Sequence, residues 1–239
     1  MKGKEKVLDK VWELDLEQAL SKLKEPCPIW PDEESGVEIV EERELHNRLR
    51  NIREWAIPFA FDYETTGLKP HAKGHKIVTM SIATQSTRAF AFFMPEEGPT
   101  RRLLRRIMLE PEIGKMAHNI KFEDNWTNVL LPSVVEGWIW DSMLAAHILD
   151  NREGITGLKF QSYVHFGVVD YSSHLDQYIH VPDKKGKSGN DFNRIFEAPK
   201  RELLVYNAVD SMLEFRLARM QMRTLGFDNL LEKMEDVPF

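Results

Sequence analysis

The sequence predicts an α/β fold, a mixed central β-sheet flanked by α-helices. Three observations predict it. Short strand-like runs crowd the first part of the chain, while the longest helical pattern comes last. Helical stretches fall between some of those strands, as they do where helices cover a sheet. And the apolar run Ile57–Phe61 is followed within a few residues by a Thr-Thr-Gly turn, the signature of a buried strand.

The elements follow in order. Leu8–Lys24 reads as a short helix, with Val11, Trp12, Leu16, Ala19, Leu20 and Leu23 near helical spacing. It breaks at Pro26, Pro28 and Pro31. An acidic patch, Asp32–Glu34, leads into a small strand, Val37–Val40, and then a helix with Leu45, Leu49, Ile52 and Trp55 on one face. After the strand Ile57–Phe61 come two more, Lys76–Ala83 and Arg88–Phe93. Pro99–Leu109 suits a helix, Lys115–Ala117 a strand, Lys121–Leu131 a helix and Trp138–Trp140 a strand. Asp141 is placed to cap the helix of Ser142–Asp150. Leu158–Phe166 reads as helical, 182–193 as a polar loop, and Pro199–Leu225 as one long helix.

Composition bounds the rest. At 239 residues, with 42% hydrophobic and 29% charged, the chain suits one large domain over 37–239 with an N-terminal appendage over 1–36. It has no apolar run of about 18 residues, so no transmembrane helix is expected. The charged N-terminus lacks the apolar core of a signal peptide. One cysteine, Cys27, excludes an internal disulfide framework and fits a reducing, cytoplasmic setting. Acidic residues outnumber basic ones, 38 to 32, giving a net charge of -6. That argues against tight nonspecific binding to nucleic acid. It does not argue against a site of clustered carboxylates with bound cations, where the local sign reverses.

Three acidic motifs carry the chemistry. Asp62-Tyr63-Glu64 ends the first buried strand, and residues i and i+2 of a strand share a face. Two adjacent carboxylates repel unless a proton or cation separates them, and oxygen-rich sites suit Mg2+ or Mn2+. A D-x-E pair is more often a solvated strand end. Here the apolar run before it and the turn after it put the pair at the C-terminal end of a buried strand, where open α/β sheets hold ligands. The second motif, His118-Asn119-Ile120-Lys121-Phe122-Glu123-Asp124, runs from strand into helix, where acidic groups also simply favour the positive helix end. The third places Tyr206 and Asp210 at i and i+4 on one helix face, a spacing that is structural more often than catalytic.

In this order FDYETTGL, HNIKFED and YNAVD resemble the three exonuclease motifs of the DEDD superfamily, tyrosine subclass. The resemblance is strongest to the proofreading domains of phage and bacterial family A DNA polymerases. WDSMLAAHILD and GLKFQSYVHFG resemble that family's intervening helices, and about residues 37–235 are covered. It implies a ribonuclease H-like fold and 3′→5′ hydrolysis of DNA with two divalent cations, Mg2+ or Mn2+, releasing nucleoside 5′-monophosphates. By the same resemblance Asp62 bridges both cations, Glu64 and Asp210 hold the one that binds the attacking water, and Tyr206 orients that water. Two cations about 3.5–4 Å apart stabilise the attacking and leaving oxygens. The histidine subclass has His five residues before the last Asp; Val205 stands there, so Tyr206 marks the tyrosine subclass.

One departure stands out. The family has Asp four residues after the Asn of the second motif, whereas this chain has Glu123, with Asp124 one later. Neighbouring helix residues point about 100° apart, so the two do not face one ion alike. Glu123 is preferred as the metal-binding acid, because that register turns Trp126 inward; Asp124 is the alternative. The resemblance also puts Thr65 and Leu68 beside the terminal nucleotide, and Asn119 and Phe122 along the strand path, though core packing competes for Phe122. Arg101, Arg102, Arg105 and Arg106, and Lys184, Lys185 and Lys187, are candidate phosphate contacts; for the arginines a solvated helix face is the plainer reading. The eight histidines lack metal-ligand spacing.

The expected partners are single-stranded or frayed DNA 3′ ends and a DNA polymerase or replication protein, with no membrane. Two readings compete: an RNA-trimming enzyme resembling ribonuclease D, and a catalytically silent domain that binds DNA or a polymerase. The final LLEKMEDVPF resembles the junction where a family A polymerase begins its polymerising portion, which leaves open a separate enzyme or a piece of a longer one.

Overall fold

The structure is a computed structural model of the chain. It describes residues 12–13, 15–17, 19–24, 32–132, 134–169, 171–179 and 191–234. The chain divides into two units, Met1–Trp30 and Pro31–Phe239. In the first, the described residues between Trp12 and Lys24 are helical, ending in a 3₁₀ turn at Lys22–Lys24. Trp12, Leu16, Leu20 and Leu23 are exposed. The expected helix start at Leu8, the breaks at Pro26, Pro28 and Pro31, and Cys27 lie outside the described residues, as do Lys184, Lys185 and Lys187.

The second unit is built on a six-stranded mixed sheet: β1 (Val37–Ile39), β2 (Phe59–Thr65), β3 (Ile77–Gln85), β4 (Arg88–Phe93), β5 (Lys115–Ala117) and β6 (Trp138–Asp141), in the order β1-β4-β3-β2-β5-β6. The β2–β3 and β3–β4 pairs are antiparallel; β1–β4, β2–β5 and β5–β6 are parallel. The helices are α1 (Glu42–Glu54), α2 (Pro99–Leu109), α3 (Ile120–Leu130), α4 (Ser142–Leu149), α5 (Leu158–Phe166), α6 (Asp176–Ile179), α7 (Lys200–Thr224) and α8 (Asp228–Leu231). No described helix is long and apolar enough to cross a membrane.

Strand alternation sorts β2 into two faces. Phe59, Phe61 and Tyr63 join Leu45, Leu49 and Ile52 of α1, Leu104 and Ile107 of α2 and Trp126 of α3 in one core. Burying each large apolar side chain there contributes about 1.5–3 kcal/mol. Ala60 points the other way, into a core with Ala83, Ala91, Ala208, Met212 and Phe215. The small side chains let the 25-residue α7 lie across the sheet (about 37 Å long at 1.5 Å per residue). Asp62 and Glu64 continue the Ala60 row and so face α7.

Buried polar groups fix α7 in place. Ser81 Oγ donates to the Asn207 carbonyl at 2.6 Å. Gln221 donates to the Ser142 carbonyl at 2.9 Å and accepts from Trp140 Nε1 at 3.0 Å. Arg216, only 3% exposed, donates to the Ser86 carbonyl and reaches Glu33 at 3.2 Å, which ties down the 3₁₀ turn Glu33–Gly36. α5 ends at Gly167 in the left-handed region, whose N–H closes the last turn onto Tyr163.

Three expectations need correction. Trp55 is 70% exposed, not on the buried face of α1: the helix ends at Glu54, and Ala56 takes a positive φ that breaks the helical path. The first central strand spans Phe59–Thr65 rather than Ile57–Phe61, and the acidic pair lies in its C-terminal part, as expected. β1 ends at Ile39, although the Val40 N–H still donates to the Ala91 carbonyl at 3.0 Å.

Candidate active site

β2 and α7 meet at their acidic residues. Carboxylate oxygens of Asp62, Glu64 and Asp210 all lie within 4.8 Å of one another, a group among the described residues that could hold a metal ion. Glu64 and Asp210 are buried and Asp62 is half-buried. Asn207, one turn before Asp210, donates to Asp62 Oδ2 at 2.7 Å and holds that carboxylate in place. Burial, reinforced by the neighbouring carboxylates, pushes Asp62 and Glu64 well above the usual carboxylate range. Burial also raises Asp210, opposed by hydrogen bonds from Tyr171 and Tyr206 and by the charge of Lys159. A cation among these oxygens would relieve the same repulsion that now favours protonation.

α3 brings the second motif to the cluster. Glu123 is 2% exposed, and its Oε2 has no hydrogen-bond partner. Burial raises its pKa strongly, with further contributions from Asp62, Glu214 and Glu64. Glu123 stands outside the tight trio but within its field. A buried carboxylate oxygen without a hydrogen-bond partner in such a field is a group whose charge nothing in its surroundings offsets. Asp124 is half-buried and accepts from Asn128 Nδ2 along its own helix at 2.9 Å. The two neighbours thus diverge as the helical turn requires.

Tyr206 is buried, its ring 5.9 Å from that of Tyr171, and burial with the nearby carboxylates drives its hydroxyl well above the ordinary phenol range. It remains a proton donor at neutral pH. Thr65 is buried and donates to the Gly67 carbonyl; Leu68, beyond it, is 69% exposed. Asn119 takes a left-handed backbone at the start of α3, and its N–H donates to Asp141. Phe122 is partly buried and packs toward Trp126, with 6.1 Å between ring centres. Arg101 and Arg105 of α2 are engaged by backbone carbonyls, Arg101 with Pro95 and Leu130 and Arg105 with Pro132. His118 is half-buried beside Ser142, and desolvation pushes it down to about 4, a neutral structural histidine.

Four groups at the cluster escaped the sequence reading. Tyr171 donates to Asp210 Oδ1 from the segment after α5. Lys159 on α5 attracts Asp62, Glu64 and Asp210, lies 5.1 Å from the centre of the Tyr206 ring, and donates to Ser172 at 2.6 Å. Asn207 and the buried Glu214 flank Asp210 on α7. The last two share a helix face with Tyr206 or Asp210, a signal readable from spacing. Nothing local marks Tyr171 or Lys159.

A sequence model of 3′–5′ exonuclease matches residues 37–225. The chain belongs to this exonuclease family. DNA polymerase I of Chloroflexus aurantiacus is 29% identical over 199 residues, which cover 80% of this chain and 19% of that protein, so the chain spans about a fifth of that relative. Among solved structures, the catalytic core of RRP6 from Trypanosoma brucei matches with a TM-score of 0.58 and 16% identity over 89% of this chain and 54% of that one. Brucella melitensis NrnC with bound Mg2+ matches with a TM-score of 0.53 and 15% identity over 83% and 84%. At these identities the likenesses speak for the fold, which is the ribonuclease H-like α/β arrangement of DEDD exonucleases. Enzymes of this exonuclease class use divalent cations, and the acidic cluster supplies the oxygen donors that such ions take.

Proposed function

We propose that residues 37–239 form a 3′→5′ exodeoxyribonuclease domain of the proofreading type, with 1–36 as an extension. The single observation that carries the reading is the convergence of Asp62, Glu64 and Asp210 from two distant elements into one oxygen cluster. The motif order, and the similarity to a DNA polymerase I, favour DNA over RNA.

In this reading Asp62, Glu64, Asp210 and Glu123 would hold two divalent cations, Mg2+ or Mn2+. Such ions, when bound, would supply a water of lowered pKa and would offset charge on the attacking and leaving oxygens. Tyr206, kept protonated by its surroundings, donates a hydrogen bond that orients the water. Asn207 fixes the Asp62 carboxylate so that little reorganisation is needed. Lys159 supplies a positive charge that balances part of the carboxylate field. Thr65 and Leu68 border the terminal nucleotide, and Asn119 and Phe122 line the strand path; Leu68 offers its exposed side chain for that contact.

The test is digestion of 3′-labelled and 5′-labelled single-stranded DNA with Mg2+, beside RNA of the same sequence. Stepwise loss from the 3′ end, faster on DNA and abolished by Asp62→Ala, is expected. Faster loss on RNA would assign the RNA-trimming chemistry instead, and no metal-dependent loss on either would leave a silent domain.

A further inference from the structure

A second groove, of about 410 Å³, opens at the start of β3 and the end of β4. Its lining is largely apolar, with Ile77, Val78, Met94 and Leu130. Two lysines and two phenylalanines line it too. Lys76 Nζ lies 4.7 Å from the centre of the Phe196 ring, and Lys200 Nζ 5.9 Å from that of Phe93. Phe196 and Phe93 are 60% and 40% exposed. Of the other charged residues at the groove, Arg101 is engaged by Glu97 and by backbone carbonyls, and Glu96 is exposed.

Strand register relates this groove to the carboxylates. Glu64 pairs with Thr79, and Thr79 with Phe93. Directly opposed residues share a sheet face, so Phe93 stands on the face that carries Glu64, two strands away, about 10 Å at the usual strand spacing. Lys200 opens α7, the helix that bears Tyr206 and Asp210, and precedes Tyr206 by about 9 Å along the axis. Phe93 and Lys200 thus line the groove from the sheet face that carries the cluster, while Arg101 of α2 and Leu130 of α3 close it from the other side at the end of β4.

Its chemistry is that of a path for a polyanion with flat apolar groups. Exposed rings stack bases without sequence preference, and ammonium groups beside them meet phosphates. In a chain of net charge -6, a locally basic groove lowers the repulsion such a strand meets elsewhere. We propose that this groove binds a single-stranded nucleic-acid segment upstream of the nucleotide held at the carboxylate cluster, with bases against Phe93 and Phe196 and phosphates against Lys76 and Lys200. The inference rests on the exonuclease reading above.

The experiment uses the full chain as wild type, as Lys76→Glu/Lys200→Glu and as Phe93→Ala/Phe196→Ala. Fluorescence anisotropy in EDTA reads binding of a labelled strand of about 15 nucleotides, long enough to span one binding groove. Hydrolysis with Mg2+ is compared between that strand and a dinucleotide. The charge reversal is expected to weaken strand binding about tenfold or more and to reduce the slope of log K against log salt by about 1.4, two single-strand phosphate contacts. The phenylalanine pair weakens binding without changing that slope, and dinucleotide hydrolysis stays at the wild-type rate in both. Unchanged strand binding, equal losses on strand and dinucleotide, or a changed oligomeric state with binding intact would each overturn the assignment. A wild type that hydrolyses neither substrate, yet shows the expected binding pattern, keeps the groove and removes the exonuclease reading.

Discussion

Glu123 and Asp124 are adjacent acids on α3 that their surroundings sort. Glu123 is buried with a free oxygen in the field of Asp62 and Glu64, whereas Asp124 is tied to Asn128. Glu123→Gln should lower kcat on the order of 100-fold, the scale of losing one preorganised electrostatic contact. Asp124→Asn should change it by about twofold or less, as substitutions away from a site do. Steady-state hydrolysis of a DNA strand decides, and the opposite ranking would move the ligand to Asp124. Much of this site was legible in the sequence. The strand period put Asp62 beside Glu64, and the helix period put Tyr206 beside Asp210. Trp126 is fully buried, as the register that favours Glu123 requires. Tyr171 and Lys159 were not legible, because only the tertiary approach of α5 and the segment after it brings them to the carboxylates.

At the scale of elements, Asp141 organises two helix starts. Its Oδ1 accepts from the Met143, Leu144 and Asn119 N–H groups, and its Oδ2 from the Ile120 N–H, so one carboxylate caps α4 and supports the first turn of α3. The capping of α4 was readable from an Asp before an apolar run; the reach to α3 was not, since it depends on β5 and β6 lying side by side. Asp141→Ala should cost about 2 kcal/mol of stability. Asp141→Asn, which keeps one acceptor oxygen, should cost roughly half that. Urea denaturation measures both, and equal losses would show that the bonds to α3 and α4 do not act separately. The misplaced Trp55 belongs to this scale too: the apolar spacing of α1 continues past the residue where the backbone turns, and periodicity alone does not mark that turn.

For the whole molecule, the sheet order places β2 centrally, with α7 across one face and α1, α2 and α3 on the other. This order sets the carboxylates inside the fold rather than on its rim. The alternation of strands and helices made the fold class legible, but the strand order rests on long-range pairing that local patterns do not encode. Burying like charges has a measurable consequence. Asp62, Glu64, Glu123 and Glu214 all have folded pKa values raised by burial above those of the unfolded chain. Between the two values the native state binds more protons, so stability falls as pH rises from the ordinary carboxylate range, about 4 to 4.5, through the raised folded values. Cations bound by the ionised groups, as proposed, would reverse that loss.

Thermal unfolding at pH 5 and pH 8, in EDTA and in saturating Mn2+, tests the cluster most directly. In EDTA the melting temperature should be lower at pH 8 from these groups. Mn2+ at about 100 times its Kd adds about 2.7 kcal/mol, or roughly 5–10 °C for a domain of this size. That gain should be larger at pH 8 than at pH 5 and should vanish in Asp62→Ala. A gain that is the same at both pH values, or that survives Asp62→Ala, would contradict the claim that these carboxylates enclose divalent cations.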